Sequence, residues 1–368
     1  MLGTTISCAE AGAYVQTNLV SDISGLASFT DPVLQNSWGV SFGPTTPIWV
    51  SDQVTNLATL YNVPSSGPVT KSATVVTIPT TATGPQGPTG QVTNLGLGPP
   101  LNTPFNSFLV NGIASRFIFA NLNGTISAWN GQGTAALVQV TTTNAVYTGL
   151  AVNDAHTRLY AADNAGGHIN VFDSTFAPLN LGAGAFANPF PGLVPFNVQS
   201  IGGDIYVTYA LPGRPADIAA PEGSGGVAVF DTNGNLIRSL INGSKLASPW
   251  GVALAPSTGF GPFSGDLLVG NFSFVASEIN AFDPLTGAFE GTIPISVGAG
   301  NTAGGLWALA FGNAGNNGNP TTLFFTDGIN GEVDGLLAQI AFVPEPSSLA
   351  LLAAAFGLLA VGRARAGR

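Results

Sequence analysis

Charge is what this chain has least of. Of its 368 residues, 9 are Lys or Arg and 19 are Asp or Glu, 8% in all, against roughly 25% in an average soluble domain. Three of the basic residues, Arg363, Arg365 and Arg368, crowd the last six positions, so the body is acidic. Nucleic acid is therefore excluded as a partner, since phosphate binding needs a basic patch. There is one cysteine, Cys8, which rules out a disulfide framework and leaves stability to the core. The two histidines, His156 and His168, cannot form a three-histidine metal centre. No nucleophile elbow stands in Ser/His/Asp order, so nucleophilic catalysis has no support.

What is abundant is glycine (49), proline (26) and apolar residues (45%). The apolar residues fall in short runs cut by Gly, Asn, Pro and Asp, the pattern of many short buried strands. The stretch Pro249–Gly287 reads as strand, loop, strand, loop, strand, turn, and related versions recur along the chain. The anchors Trp38, Leu97, Leu150, Ile201, Trp250 and Leu306 lie roughly 50–60 residues apart, near the period of propeller blades. One such sheet cannot bury both faces, whereas six packed radially can. The expected fold is all-β: a six-bladed β-propeller over residues 14–342, with a C-terminal hydrophobic helix. A strand at Tyr14–Val20 is expected to complete the last blade. Pro79–Gly90, Phe176–Phe196 and Leu211–Gly225 leave the pattern and read as loops or insertions on the rims, where function often sits.

Residues 1–13 read as the remnant of a signal peptide or a disordered tail; Ala9-Glu10-Ala11 has the small-x-small form of a cleavage site. At the other end, Val343-Pro344-Glu345-Pro346 precedes an apolar run at 349–361 and then Arg363, Arg365 and Arg368. The run is shorter than the ~20 residues of a comfortable span. This tripartite tail, residues 343–368, resembles the bacterial PEP-CTERM sorting signal. The resemblance implies export in a Gram-negative bacterium, transient inner-membrane retention through 349–361, and cleavage by an exosortase. It also implies a final place at the cell surface or in an exopolysaccharide matrix. The opening of the body, VQTNLVSDISGLASFTDPVLQNSWGVSFGPTTPIWVSDQVTNLATLYN, resembles an uncharacterised bacterial family that often carries this tail. The copy GLAVNDAHTRLYAADNAGGHINVFD is similar to NHL-type blades.

Chemistry is sparse. Trp38, Trp250 and Trp307 sit on axis-proximal strands, where they either form a sugar-stacking floor or wedge the blades and fill the core. Asn36 joins them as a ligand-binding candidate, with Asn94 and Asp31 as other groups able to approach the axis. Asp231, Asn233 and Asn235 place oxygens at alternate positions, which suits Ca2+ and suits an ordinary Asx turn equally. No other cofactor is expected. The leading expectation is a non-catalytic, exported binding or matrix protein that contacts exopolysaccharide or surface proteins. The alternative is a metal-dependent, lactonase-like hydrolase with its site at the propeller axis.

Overall fold

The computed structural model describes residues 12–345. They form six blades arranged around an axis, antiparallel except where Val20–Ser21 pairs in parallel with Phe29–Thr30 at the edge of the sixth, together with two small hairpins. Each blade begins with its innermost strand: Ser37–Ser41, Pro88–Thr93, Tyr147–Val152, Val194–Ile201, Pro249–Leu254 and Leu306–Phe311. These six pack side by side in chain order, and the sixth returns to the first. The expected six-bladed all-β propeller is what forms. The expected hydrophobic helix at 349–361 lies outside the described residues. Among the described residues, no helix is long and apolar enough to cross a membrane.

The ring is closed by the N-terminal strand. Gly12–Ser21 pairs antiparallel with Leu336–Pro344, making the outer part of blade six from both ends of the body. Val20 is fully buried, and Tyr14 stacks on Phe263 at 5.5 Å and donates to the Phe260 carbonyl at 2.8 Å. Such a clasp ties the first blade to the last without a disulfide. Pro344, expected to open a sorting motif, is itself built into this sheet, opposite Gly12. Glu345 follows it; Pro346 and the three arginines lie outside the described residues.

A shared irregularity positions the axis. All six inner strands carry a register shift near their start, between Ser37 and Val40 in blade one and between Leu306 and Leu309 in blade six, for instance. At the shift sits a residue pair: Trp38-Gly39, Thr89-Gly90, Thr148-Gly149, Phe196-Asn197, Trp250-Gly251 and Trp307-Ala308. Bulges of this kind re-aim side chains. The small second residue is required by crowding. A Cβ on Gly39 would stand 2.3 Å from the Thr89 carbonyl oxygen, and one on Gly251 would stand 2.3 Å from that of Trp307. Where blade four carries Asn197 instead, its amide donates to the Trp250 carbonyl at 2.8 Å and stitches blades four and five.

Blade two departs from the expected boundaries. Its inner strand is Pro88–Thr93, within and just after a segment that reads as a Thr/Pro/Gly loop. Leu97, expected as an axial anchor, is 80% exposed. It belongs to an insertion of two short hairpins, Leu95–Gly96 with Thr103–Pro104 and Leu109–Val110 with Ile113–Ala114. A proline is tolerated at a strand's first position, and Gly90 is demanded there because its Cβ would meet the Leu150 amide nitrogen at 2.4 Å. Blade three has three strands. The connection after it supplies a partial fourth, with the Leu179 amide donating to the Val171 carbonyl at 2.8 Å. The insertion in blade four carries a short helix, α1 (Arg214–Ile218), which lies on the rim.

Candidate ligand-binding cavity at the propeller axis

The first residues of the six pairs form a ring at one end of the axis, and three tryptophans dominate it. Trp38 stacks on Trp307 at 3.5 Å with 15° between the rings, and Trp250 meets both edge-on at 6.3 and 5.8 Å. Phe272 stacks on Trp307 at 4.3 Å, and Phe196 packs against Phe272. The expectation that Trp38, Trp250 and Trp307 meet at the axis holds. Their roles diverge. The Trp250 Nε1–H donates to the Thr148 carbonyl at 2.9 Å, and the Trp307 Nε1–H donates to Asn36 Oδ1 at 2.9 Å, so both are locked as core. Trp38 lines an open cavity of about 410 Å³ above them. Its Nε1–H is buried and has no acceptor among the described residues.

The cavity has an apolar floor and flank, made by Trp38, Phe196, Leu122 and Val146. Most of its polar wall comes from four separate segments in three blades. Asn36 and Gln53 come from blade one, Arg214 and Asp217 from α1, and Glu332 from the last loop of blade six. The Asn36 amide donates to Gln53 Oε1 at 2.9 Å and to Glu332 Oε1 at 3.4 Å. The Arg214 guanidinium pairs with Glu332, reaches Asp217 Oδ1 at 3.5 Å, and lies over the Phe272 ring at 4.8 Å. Burial pushes the Asp217 carboxyl up to about 6 against the pull of Arg214, and burial lowers the Arg214 pKa against the pull of Asp217.

Two wall residues occupy left-handed backbone: Asn36 at φ 43° and Glu332 at φ 67°. Asparagine tolerates that region; for glutamate it is uncommon. Non-glycine residues held there concentrate at ligand sites, where the surrounding structure over-determines them. Here Asn330 and Gly331 precede Glu332 with φ of 56° and 72°, so three successive left-handed residues turn Glu332 toward the axis.

Below the tryptophans the axis narrows to about 50 Å³ between Gly39, Gly90 and Gly251. It reopens at the other end as a cavity of about 290 Å³, flanked by Gln91, Asp154 and His156. His156 stacks on Phe105 at 3.8 Å and faces Asn94 Oδ1 at 2.9 Å. Asn94 therefore anchors the blade-two insertion and does not enter the Trp38 cavity. Nor does Asp31, which accepts from Tyr61 and Lys71 at 2.6 Å each at the outer side of blade one.

Asp231, Asn233 and Asn235 lie on the outer turn of blade four. Asp231 accepts from the amides of Asn233 and Asn235 at 2.8 and 2.9 Å, and from the Asn235 side chain at 2.8 Å. Asn233 Oδ1 accepts from Arg158 at 2.9 Å. These oxygens are engaged as turn acceptors beside a guanidinium. Among the described residues no three His, Cys, Asp or Glu side chains come close enough to hold one metal ion. Sequence reasoning missed Arg214, Asp217 and Glu332. The signal was the scarcity of charge itself: Arg214 is one of nine basic residues, and it stands in the rim insertion that breaks blade four.

The chain belongs to a family that includes an uncharacterised protein, R648, of Acanthamoeba polyphaga mimivirus. The two are 31% identical over 340 residues, covering 88% of this chain and 78% of that protein. A second uncharacterised mimivirus protein, L690, is 29% identical over 309 residues, covering 79% of this chain and 77% of its own length. No known family profile matches. Among solved structures, a Bacteroides thetaiotaomicron protein of unknown function superposes with a TM-score of 0.53 at 10% identity, over 90% of this chain and 77% of that one. That likeness shows the fold alone. These relatives overturn the expected placement in a bacterial PEP-CTERM family. That resemblance rested on the tail of about 26 residues and on the opening of the body, whereas the relationship to R648 covers 88% of this chain.

Proposed function

We propose that this propeller is a non-catalytic binding protein that takes one sugar unit of a polysaccharide or glycan in the cavity above Trp38. The observation that carries the reading is the composition of that cavity. An apolar floor of Trp38 and Phe196 faces a wall of hydrogen-bonding side chains from three blades, which is the division of labour in small-molecule sites. Sugars present one apolar face and a rim of hydroxyls, and aromatic rings suit the former. The setting we propose is extracellular, where such polymers are met.

The lactonase-like alternative draws no comparable support. It would need acidic and Asn side chains free to hold a metal at the axis. Asn36, Asp217 and Glu332 do approach one another there, but Arg214 supplies the positive charge between the carboxylates.

A glycan array probed with the full chain tests the proposal, with Ala165→Trp as the blocking variant. Ala165 is exposed on the cavity rim, so an indole there fills the site without touching the core. Binding to at least one glycan, lost in Ala165→Trp, is the expected result. Binding indifferent to that change, or no binding at all, overturns it.

A further inference from the structure

We infer that the sugar is a cationic one, an amino sugar with a free ammonium group; this rests on the saccharide reading above. Three charged side chains reach the cavity, Arg214, Asp217 and Glu332, and their sum is −1. The guanidinium is already committed: it pairs with both carboxylates and its face covers Phe272. A ligand carboxylate would approach Asp217 and Glu332 before it could displace either from Arg214. An ammonium group meets the opposite situation, one negative charge in excess beside an apolar floor, where charges interact more strongly than in water. The net charge of −10 on the whole chain adds attraction for cations at a distance.

The ligand therefore carries an ammonium group for the carboxylates and an apolar face to lie on the floor made by Trp38 and Phe196. A uronic acid has the wrong charge, and a neutral hexose offers hydroxyl donors without a positive charge. The long Asn36–Glu332 contact of 3.4 Å leaves Glu332 with lone pairs to accept from the ammonium group.

The test is calorimetric titration of the full chain at pH 7 and low salt with three probes: methyl glucosaminide, methyl glucoside and methyl glucuronide. The glucosaminide is expected to bind at least about tenfold tighter than the glucoside, with the glucuronide weakest. Glu332→Gln should erase the preference. Arg214→Gln should widen it, since the cavity then carries two uncompensated carboxylates; an unchanged melting temperature shows that α1 is still in place. If the glucoside and glucosaminide bind equally, and both are lost in Ala165→Trp, the saccharide reading stands and the charge inference falls. Preference for the glucuronide overturns the inference and makes Arg214 the recognition group. No binding by any probe overturns the inference together with the reading on which it rests.

Discussion

The ring of Trp38 lies flat on that of Trp307 at 3.5 Å, and the two belong to the first and last blades. The contact is the axial counterpart of the clasp at the outer edge, where Gly12–Ser21 joins Leu336–Pro344. One closure is made of backbone hydrogen bonds and the other of aromatic faces. Between them, Ser37 Oγ donates to the carbonyls of Asp327 and Leu336 at 3.2 and 3.0 Å.

Trp307→Ala should therefore lower stability by about 3–5 kcal/mol, the usual cost of emptying a buried tryptophan site. It would remove the packing partner of Trp38, Trp250 and Phe272 together and leave Asn36 Oδ1 without its donor. Trp307→Phe keeps part of the stack and should cost roughly half as much. Urea titrations read the effect as a lower midpoint. A change confined to the slope, with the midpoint fixed, would mean that the residue does not hold the ring closed.

Asp327 is fully buried, and neither carboxylate oxygen has a hydrogen-bond partner among the described residues. Burial alone raises its pKa well above the ordinary value. Blades two and five hold Asn121 and Asn271 at the matching strand end, and Asn271 accepts from the Ala247 amide at 3.0 Å while donating to the Lys245 carbonyl at 2.8 Å. Asp327→Asn should thus stabilise at pH 7, by on the order of 1 kcal/mol or more. The sign with pH follows from linkage. Below the unfolded pKa both states hold the proton and nothing is lost. As pH rises past about 4 the unfolded chain ionises first, so stability falls until the folded pKa is reached. Melting curves from pH 4 to 8 should show the variant gaining on the parent as pH increases. A constant difference across that range would refute the assignment.

The architecture was legible in the sequence because every blade repeats the same physical problem. Trp38-Gly39 and Trp250-Gly251 announce a large residue at the axis followed by one with no side chain, and strand-end Asp52, Asp163 and Asp327 mark the same turn in three blades. Blade two was misplaced because Pro88-Thr89-Gly90 has the composition of a loop; only the neighbouring Leu150 backbone explains the glycine. The cavity wall was illegible for a different reason. Arg214 and Glu332 come from loops of different blades, and no local pattern states that a rim helix and a left-handed turn meet over one aromatic ring. The family was misread because the tail and the opening of the body are short stretches, whereas the relatives match over most of the chain.

His156 is held neutral: burial lowers its pKa to about 4, against a weak opposing pull from Asp154. Asn94 uses its amide hydrogens on the carbonyls of Phe105, Ser107 and Ser115. Its oxygen must then face His156, so Nδ1 carries the imidazole proton. A depressed histidine pKa means that the unfolded chain takes up the proton first. Stability is complete above about 6.5 and declines as pH falls toward 4, by roughly 2 kcal/mol for this group once the solvent screening of a partly exposed ring is allowed for. His156→Phe keeps the stack on Phe105 and should flatten the loss between pH 6.5 and 4, at a modest cost at neutral pH because Asn94 Oδ1 then keeps only the Ser107 hydroxyl as its donor, at 3.2 Å. If the variant and the parent lose stability in parallel over that interval, the histidine is not the group that titrates.

Gly251→Ala puts the crowding at the axis to the test. The added methyl would stand 2.3 Å from the Trp307 carbonyl oxygen and 2.8 Å from Leu309. The first of these neighbours is backbone within the adjacent inner strand, so it cannot swing aside as a flexible side chain would. Blades five and six must part locally, and overpacking of this kind costs about 1–3 kcal/mol. Gly25→Ala is the control. Gly25 lies in an exposed turn with no neighbour within 4 Å of a Cβ, but with φ at +82°, so its penalty is conformational alone, about 1 kcal/mol. The two variants should differ further in the aromatic signal. Near-ultraviolet circular dichroism from the Trp38–Trp250–Trp307 cluster should change in Gly251→Ala and stay as it is in Gly25→Ala. Equal melting shifts with an unchanged aromatic spectrum in both would show that the inner strands have room to spare.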